Sequence, residues 1–288
     1  MKRRLLTAAN GVLGLGLLIL WLESHGSAVG QLSQAHLGLL VCGLLCFPLA
    51  VWLQLHRTAL VIDAPEPRRL LGPVLLSGGM NVLLPSMLGD LYEIGALSQA
   101  TGQPVRAVLV RLFHRLSTTL SALGVLLSIA ISSINPSWGF VILIGSLVFP
   151  FVIDRSSPHL SRWARIPYTT EISALSPLGP GSTSKHIMLA ILQHSISALG
   201  VFFLGAAINN AISPVVAAGM LAIADLVTYL PVPLGGIGLH HWGVSGIAAL
   251  MGAVPSALVA LNHGIIVAVG GLSAATGFAL AQNSRHNS

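Results

Sequence analysis

Apolar positions in this chain come in long unbroken runs and do not alternate with polar ones. The runs are Leu5–Leu22, Leu37–Leu55, Pro73–Leu91, Ala107–Ile131, Trp138–Ile153, Ile187–Ala207, Val215–Leu230 and Pro255–Leu280. Most reach about 18 residues or more. At a rise of about 1.5 Å per residue, that length matches the roughly 30 Å hydrocarbon core of a bilayer. The ten-residue alternating segments of an outer-membrane barrel are absent. The pattern predicts an all-α, polytopic membrane protein.

Composition sharpens this reading. Of 288 residues, 54% are apolar and only 8% are charged, against roughly 25% charged in an average soluble domain. The mean hydropathy is +0.84. Twenty-two charged side chains cannot cover a soluble domain of this length. The balance excludes a cytosolic globule, a disordered chain and a disulfide scaffold. The net charge of +6 reads as a set of topology signals, and nucleic acid is not an expected partner. Cys42 and Cys46, four apart in an apolar run, read as small packing residues on one helix face. Spacings for a metal site, a phosphate-cradling glycine loop or a nucleophile elbow are missing. No metal, no cofactor and no enzymatic activity is therefore expected.

The basic residues constrain topology. If every run crosses fully, Arg106, Arg111 and Arg115 fall opposite Lys2–Arg4, against the positive-inside rule. A different arrangement resolves the conflict. Pro73–Gln99 dips in and returns to the same side, and Pro214–Gly252 does likewise from the other side. All 14 basic residues, Arg57 among them, then lie at or near one face. Leu5–Leu22 is long enough to span and lacks a clean cleavage site, so it reads as the first transmembrane helix and not as a signal peptide. The expected fold is about six full spans plus two broken, re-entrant hairpins. The chain forms one transmembrane domain, 1–288. Its first half is 1–153, its Pro- and Arg-rich cytoplasmic connecting loop is 154–185, and its second half is 186–288. Both termini are expected in the cytoplasm.

The two hairpins resemble each other. Leu84-Pro85-Ser86-Met87-Leu88-Gly89-Asp90 corresponds to Leu230-Pro231-Val232-Pro233-Leu234-Gly235-Gly236 at an offset of about 146 residues. Each continues to a small turn and a long helix, Gly102-Gln103-Pro104 and Gly252-Ala253-Val254-Pro255. Entering from opposite sides, they make an inverted-topology repeat, an architecture that places a transport site near the midplane. Proline removes a backbone donor and glycine permits close approach, so Pro85, Gly89, Pro231, Gly235, Gly236 and Gly238 mark broken backbone. At membrane depth such backbone is tolerated where protein buries it or where it lines a cavity. Asn81 is placed to satisfy it.

Charged residues inside the runs are the other candidates. Arg111 and Arg115 lie i,i+4 on an apolar helix, and an arginine inside a span is costly unless it pairs or holds a ligand. The guanidinium fork suits phosphate. The alternatives are pairing to Asp90 or Glu93, or extension to the inner surface. Asp90 and Glu93 share a helical face as proton acceptors or arginine partners. Asp225 stands alone in an apolar run, and His241 and His263 can carry protons near neutral pH. These five residues form the candidate proton or charge relay. Arg111, Arg115, Asn81 and the hairpin prolines and glycines form the candidate substrate site.

Asn81-Val82-Leu83-Leu84-Pro85 followed by Gly89-Asp90 and Arg115 resembles the first signature of the lysylphosphatidylglycerol synthase transmembrane (flippase-like) family. Leu230-Pro231 through Gly235-Gly236-Ile237-Gly238 and Gly252-Ala253-Val254-Pro255 resembles the second. Two positions depart from the family pattern: Glu93 stands where a basic residue is common, and His241 where a glutamate is common. The resemblance implies movement of lipid between leaflets. With Ser288 as the last residue, it implies the kind of member that lacks a soluble aminoacyl-transferase domain. The expected function is thus a bacterial inner-membrane translocase for an anionic phospholipid or polyprenyl-phosphate-linked lipid. The alternatives are a proton-coupled carrier of a small soluble solute, or a non-transporting membrane partner of a lipid- or glycan-synthesis enzyme.

Overall fold

Long apolar runs become long helices because a bilayer offers no partner for backbone N–H and C=O groups. The computed structural model describes residues 35–64, 66–83, 88–163, 180–208, 212–229 and 271–280. Among the described residues every regular element is helical. The run Leu5–Leu22 and the expected site residues Pro85, Pro231, Gly235, Gly236, Gly238, His241 and His263 lie outside them.

Helix α1 covers Leu37–Val61. A 3-10 turn at Pro67–Leu70 leads into α2, Leu71–Leu83, which is followed by α3, Leu88–Thr101. Helices α4 (Val105–Ser132) and α5 (Pro136–Trp163) come next. Then follow α6 (Pro180–Ala207), α7 (Pro214–Thr228) and a last described helix, α8, at Gly271–Leu280. Four of these, α1, α4, α5 and α6, contain stretches long and apolar enough to cross a membrane. The chain is an integral membrane protein. Trp52, Leu45, Trp138, Phe140 and Met188 face outward and are exposed, as side chains in contact with lipid tails would be.

The ends of these helices follow local chemistry. His36 caps α1, its Nδ1 accepting from the Leu39 N–H at 3.4 Å. Pro136 and Pro214 open α5 and α7, where a missing N–H costs nothing. Asn135 and Ser213 sit just before them and accept from the N–H groups of Trp138 and Val216. Gly102, at φ 69°, makes the turn between α3 and α4 that a residue with a Cβ resists.

The run Pro73–Leu91 is two helices and not one. At 13 and 14 residues, α2 and α3 extend about 20 Å each, short of the hydrocarbon thickness. They pack on each other as a helical hairpin. Gly89 lies inside α3, at the close approach of the pair. A Cβ there would run into the Ser77 carbonyl oxygen and the Asn81 carboxamide. Of the connecting loop expected over 154–185, residues up to Trp163 belong to α5 and residues from Pro180 belong to α6; 164–179 lie outside the described residues.

Helices α1 and α6 form the most extensive contact and run antiparallel. The His36 N–H donates to the Ala207 carbonyl at 2.7 Å, and further along Gly43 lies against Gly200. A Cβ at Gly43 would sit 2.8 Å from the Leu204 side chain, and one at Gly200 would sit 3.1 Å from the Cys46 Cβ. Small residues at such a crossing let helices approach where lipid gives no hydrophobic drive. Cys46 is thus a packing residue. Helix α4 is central, touching α5, α6 and α7. Gly277 of α8 packs against the backbone of α2.

Two apolar clusters frame the bundle. One gathers Leu55, Val61, Leu70, Leu97 and Leu112 around the α1–α3 end. The other gathers Leu126, Leu204, Val216 and Met220 between α4, α6 and α7. Along α4, the polar residues Arg115, Thr118 and Thr119 fall between the two.

Candidate functional site

Six helices direct polar side chains into one cavity of about 260 Å³. Its lining includes Gln54 and Arg57 from α1, Ser77 and Asn81 from α2, Asp90 and Glu93 from α3, Arg115 and Thr119 from α4, Gln193 and His194 from α6, Asp225 from α7 and Tyr229 just after it. In a bilayer this grouping of charges is costly unless each is paired or the cavity holds polar ligand or water.

The strongest contact is the bidentate pair of Arg115 and Glu93. Nη1 donates to Oε1 at 2.6 Å and Nη2 to Oε2 at 2.7 Å. Nη1 also donates to the Thr58 hydroxyl at 2.8 Å, and the Ser77 hydroxyl donates to Glu93 at 3.3 Å. Glu93 is 1% exposed and the Arg115 side chain 14%. Fork-to-fork geometry of this kind fixes orientation as well as charge. It holds the α2–α3 hairpin to α4 and, through Thr58, to α1. Asp90 accepts from the Asn81 carboxamide at 2.9 Å, tying the two arms of the hairpin together. His194 and Asp225 face each other at 3.2 Å across α6 and α7.

Arg57 is held differently. It is 1% exposed, and every partner is neutral. Nη1 donates to Gln193 Oε1 at 2.6 Å. Nη2 donates to the hydroxyls of Thr118 and Thr119 at 3.1 and 2.9 Å and, at 3.4 Å, to the Arg115 carbonyl. Its Nε has no partner. Among the described residues no carboxylate pairs with this guanidinium. Among the described residues, Arg57 is therefore held inside the bundle by neutral hydrogen-bond acceptors. The sequence places Arg57 at or near the inner face; in the structure its guanidinium is buried and hydrogen-bonded to neutral protein groups.

The structure brings together Asn81, Asp90, Glu93, Arg115 and Asp225 of the sequence-predicted residues. Gly89 serves the same site by letting α2 and α3 close. Arg111 does not line the cavity. Its Nη1 donates to the Val61 carbonyl at 2.9 Å, capping the end of α1. The residues that sequence reasoning passed over are Arg57, Gln193, His194 and Tyr229. Gln193-His194 interrupts the apolar run Ile187–Ala207, and a polar pair in mid-span is the signal that marks them. Arg57 follows the end of an apolar run in sequence but sits in a helix that continues to Val61.

The fold and site together define an integral membrane protein with a charged cavity lined by its helices. Searched against protein-family models, the chain matches none, and no curated protein matches its sequence. The resemblance to the lysylphosphatidylglycerol synthase membrane region thus rests on the two short motifs alone.

Proposed function

We propose that this protein is a bacterial inner-membrane lipid translocase that passes a phosphate-bearing lipid headgroup between leaflets through the cavity around Arg57. The observation that carries the proposal is a buried guanidinium with only neutral partners, lining a cavity inside a membrane protein. Such a group is costly to keep at this depth, and an anionic headgroup supplies the missing counter-charge. The substrate would be a phospholipid or a polyprenyl-phosphate-linked lipid. In this reading the chain is a carrier and not an enzyme, with both termini cytoplasmic.

Three features support it. The α2–α3 hairpin is too short to cross the bilayer as two spans, which suits a re-entrant element. The helix contacts are reciprocal: α4, which follows the first hairpin, packs on α7, while α8, further along the second half, packs on α2. That exchange, with α1 and α6 antiparallel at the junction, is what an inverted repeat would produce. The two sequence motifs resemble those of a flippase-like family.

A second reading, a proton-coupled carrier of a small solute, draws on His194 and Asp225 facing each other in the same cavity. Partnership with a lipid- or glycan-synthesis enzyme is the third. The test is translocation of acyl-labelled phospholipids in proteoliposomes, read by chemical quenching of the outer leaflet. Quenching beyond the outer-leaflet half is expected with wild type and not with protein-free vesicles. Equal quenching in both removes the translocase reading.

A further inference from the structure

The charges in the cavity do not cancel pairwise. Arg115 and Glu93 neutralise each other, and Asp225 has His194 at 3.2 Å, an ion pair when the imidazole is protonated. Among the described residues no carboxylate pairs with Arg57, and the Asp90 carboxylate accepts from the neutral Asn81 carboxamide. No cation lies within ion-pair distance of Asp90 among the described residues. The two share one cavity of about 260 Å³ without pairing with each other. Each is held by weaker means that suit its sign. Asp90 lies in the first turn of α3, where the helix dipole offers about half a charge of the opposite sign; Arg57 lies before the last turn of α1 and is held by its neutral hydrogen-bond acceptors.

A simple anion would be drawn to Arg57 and repelled by Asp90. A simple cation meets the reverse. A group that carries both charges meets neither penalty. We propose that the cavity recognises a zwitterion bearing a phosphate and an ammonium, the phosphate on Arg57 and the ammonium on Asp90. This rests on the translocase reading only for its source: the same chemistry occurs in an aminophospholipid headgroup and in a free phosphoamine.

Gln193 makes the phosphate end reversible. In the structure its carboxamide oxygen accepts from Arg57. When a phosphate oxygen takes that donor, rotation of the carboxamide turns its NH₂ toward the anion, so that one side chain serves both states. Glutamate at this position would fit the same space but supply a permanent carboxylate, closing the site to phosphate.

The experiment measures binding to purified protein in detergent by calorimetry. The probes are dihexanoyl phosphatidylethanolamine, dihexanoyl phosphatidylglycerol and glycerophosphoethanolamine. Wild type is expected to prefer the ethanolamine lipid to the glycerol lipid by about tenfold or more, as one charge-assisted hydrogen bond provides. Asp90→Asn, which keeps the shape and the contact with Asn81, should abolish that preference by weakening the ethanolamine lipid alone. Asp90→Glu, which keeps the charge, should retain it. Gln193→Glu should weaken both lipids by about tenfold or more. Unchanged melting temperatures exclude misfolding as the cause. Equal binding of the two lipids to wild type, no binding of either, or an Asp90→Asn variant that keeps the preference overturns the proposal. Glycerophosphoethanolamine binding as tightly as the lipid keeps the zwitterion site and assigns it to a soluble ligand. Zwitterion preference without translocation in vesicles leaves the site standing and removes the translocase.

Discussion

Removing one partner of the Arg115–Glu93 pair should be far more damaging than removing both. The perturbation is the set Arg115→Gln, Glu93→Gln and the double variant. In Arg115→Gln, Glu93 is left 1% exposed, with the Ser77 hydroxyl at 3.3 Å as its other donor. In Glu93→Gln, the guanidinium keeps Thr58 and an amide oxygen but loses its counter-charge. Breaking a buried pair from one side costs about 3–5 kcal/mol. The lower figure applies here, because the pair borders a polar cavity. Two independent losses would add to about 6 kcal/mol, whereas the double variant strands neither charge and should cost about 3 kcal/mol or less. The coupling is then about 3 kcal/mol, well above the average of about 0.6 kcal/mol for hydrogen bonds between transmembrane helices. The assay is reversible unfolding by SDS in mixed micelles. Acidification adds a sign. A stranded carboxylate can neutralise by taking a proton, and a guanidinium cannot. Lowering the pH should therefore relieve Arg115→Gln and leave Glu93→Gln unrelieved. Costs that add to within about 0.5 kcal/mol would show that the bidentate contact does not hold the hairpin, and the reasoning would fall.

Other consequences are equally direct. Gly89→Ala should destabilise by about 1–3 kcal/mol, the usual range for overpacking, since its methyl meets the Ser77 carbonyl and Asn81; an unchanged SDS midpoint would deny the close α2–α3 approach. Gly200→Leu should separate α1 from α6, and a lowered melting temperature checks it. Arg111→Met should cost about 1–2 kcal/mol for the bond to the Val61 carbonyl while lipid binding stays intact; loss of binding at normal stability would return Arg111 to the substrate site. In a background free of Cys42 and Cys46, single cysteines at Gln99 and Ser137 should be labelled only from the cytoplasm and only from outside, respectively. Labelling of Gln99 from outside would make the α2–α3 region a span and remove the inverted repeat.

The helices were legible because their signal is local. Run length and mean polarity decide a transmembrane helix, and α1, α4, α5 and α6 follow from them. The division between α2 and α3 was legible from Pro85 and Gly89, which interrupt an otherwise apolar run. The charged residues Asp90, Glu93, Arg115 and Asp225 were legible as costs that the fold must offset. Their partners were not. Arg57 and Gln193 are 136 positions apart, and periodicity places a residue on a face without saying what faces it. Arg57 was read as a boundary marker because it follows the end of an apolar run, and charge at a run's end is usually solvated. Arg111 and Arg115 looked equivalent at i,i+4, yet one turn of helix separates a helix-capping role from a place in the cavity.

The most direct test of the central claim is phospholipid translocation in proteoliposomes by wild type and by Gln193→Glu, at matched reconstitution and matched melting temperature. The account predicts transport by wild type and its loss in the variant, because the new carboxylate occupies Arg57 in place of phosphate. Transport by Gln193→Glu at the wild-type rate would contradict it.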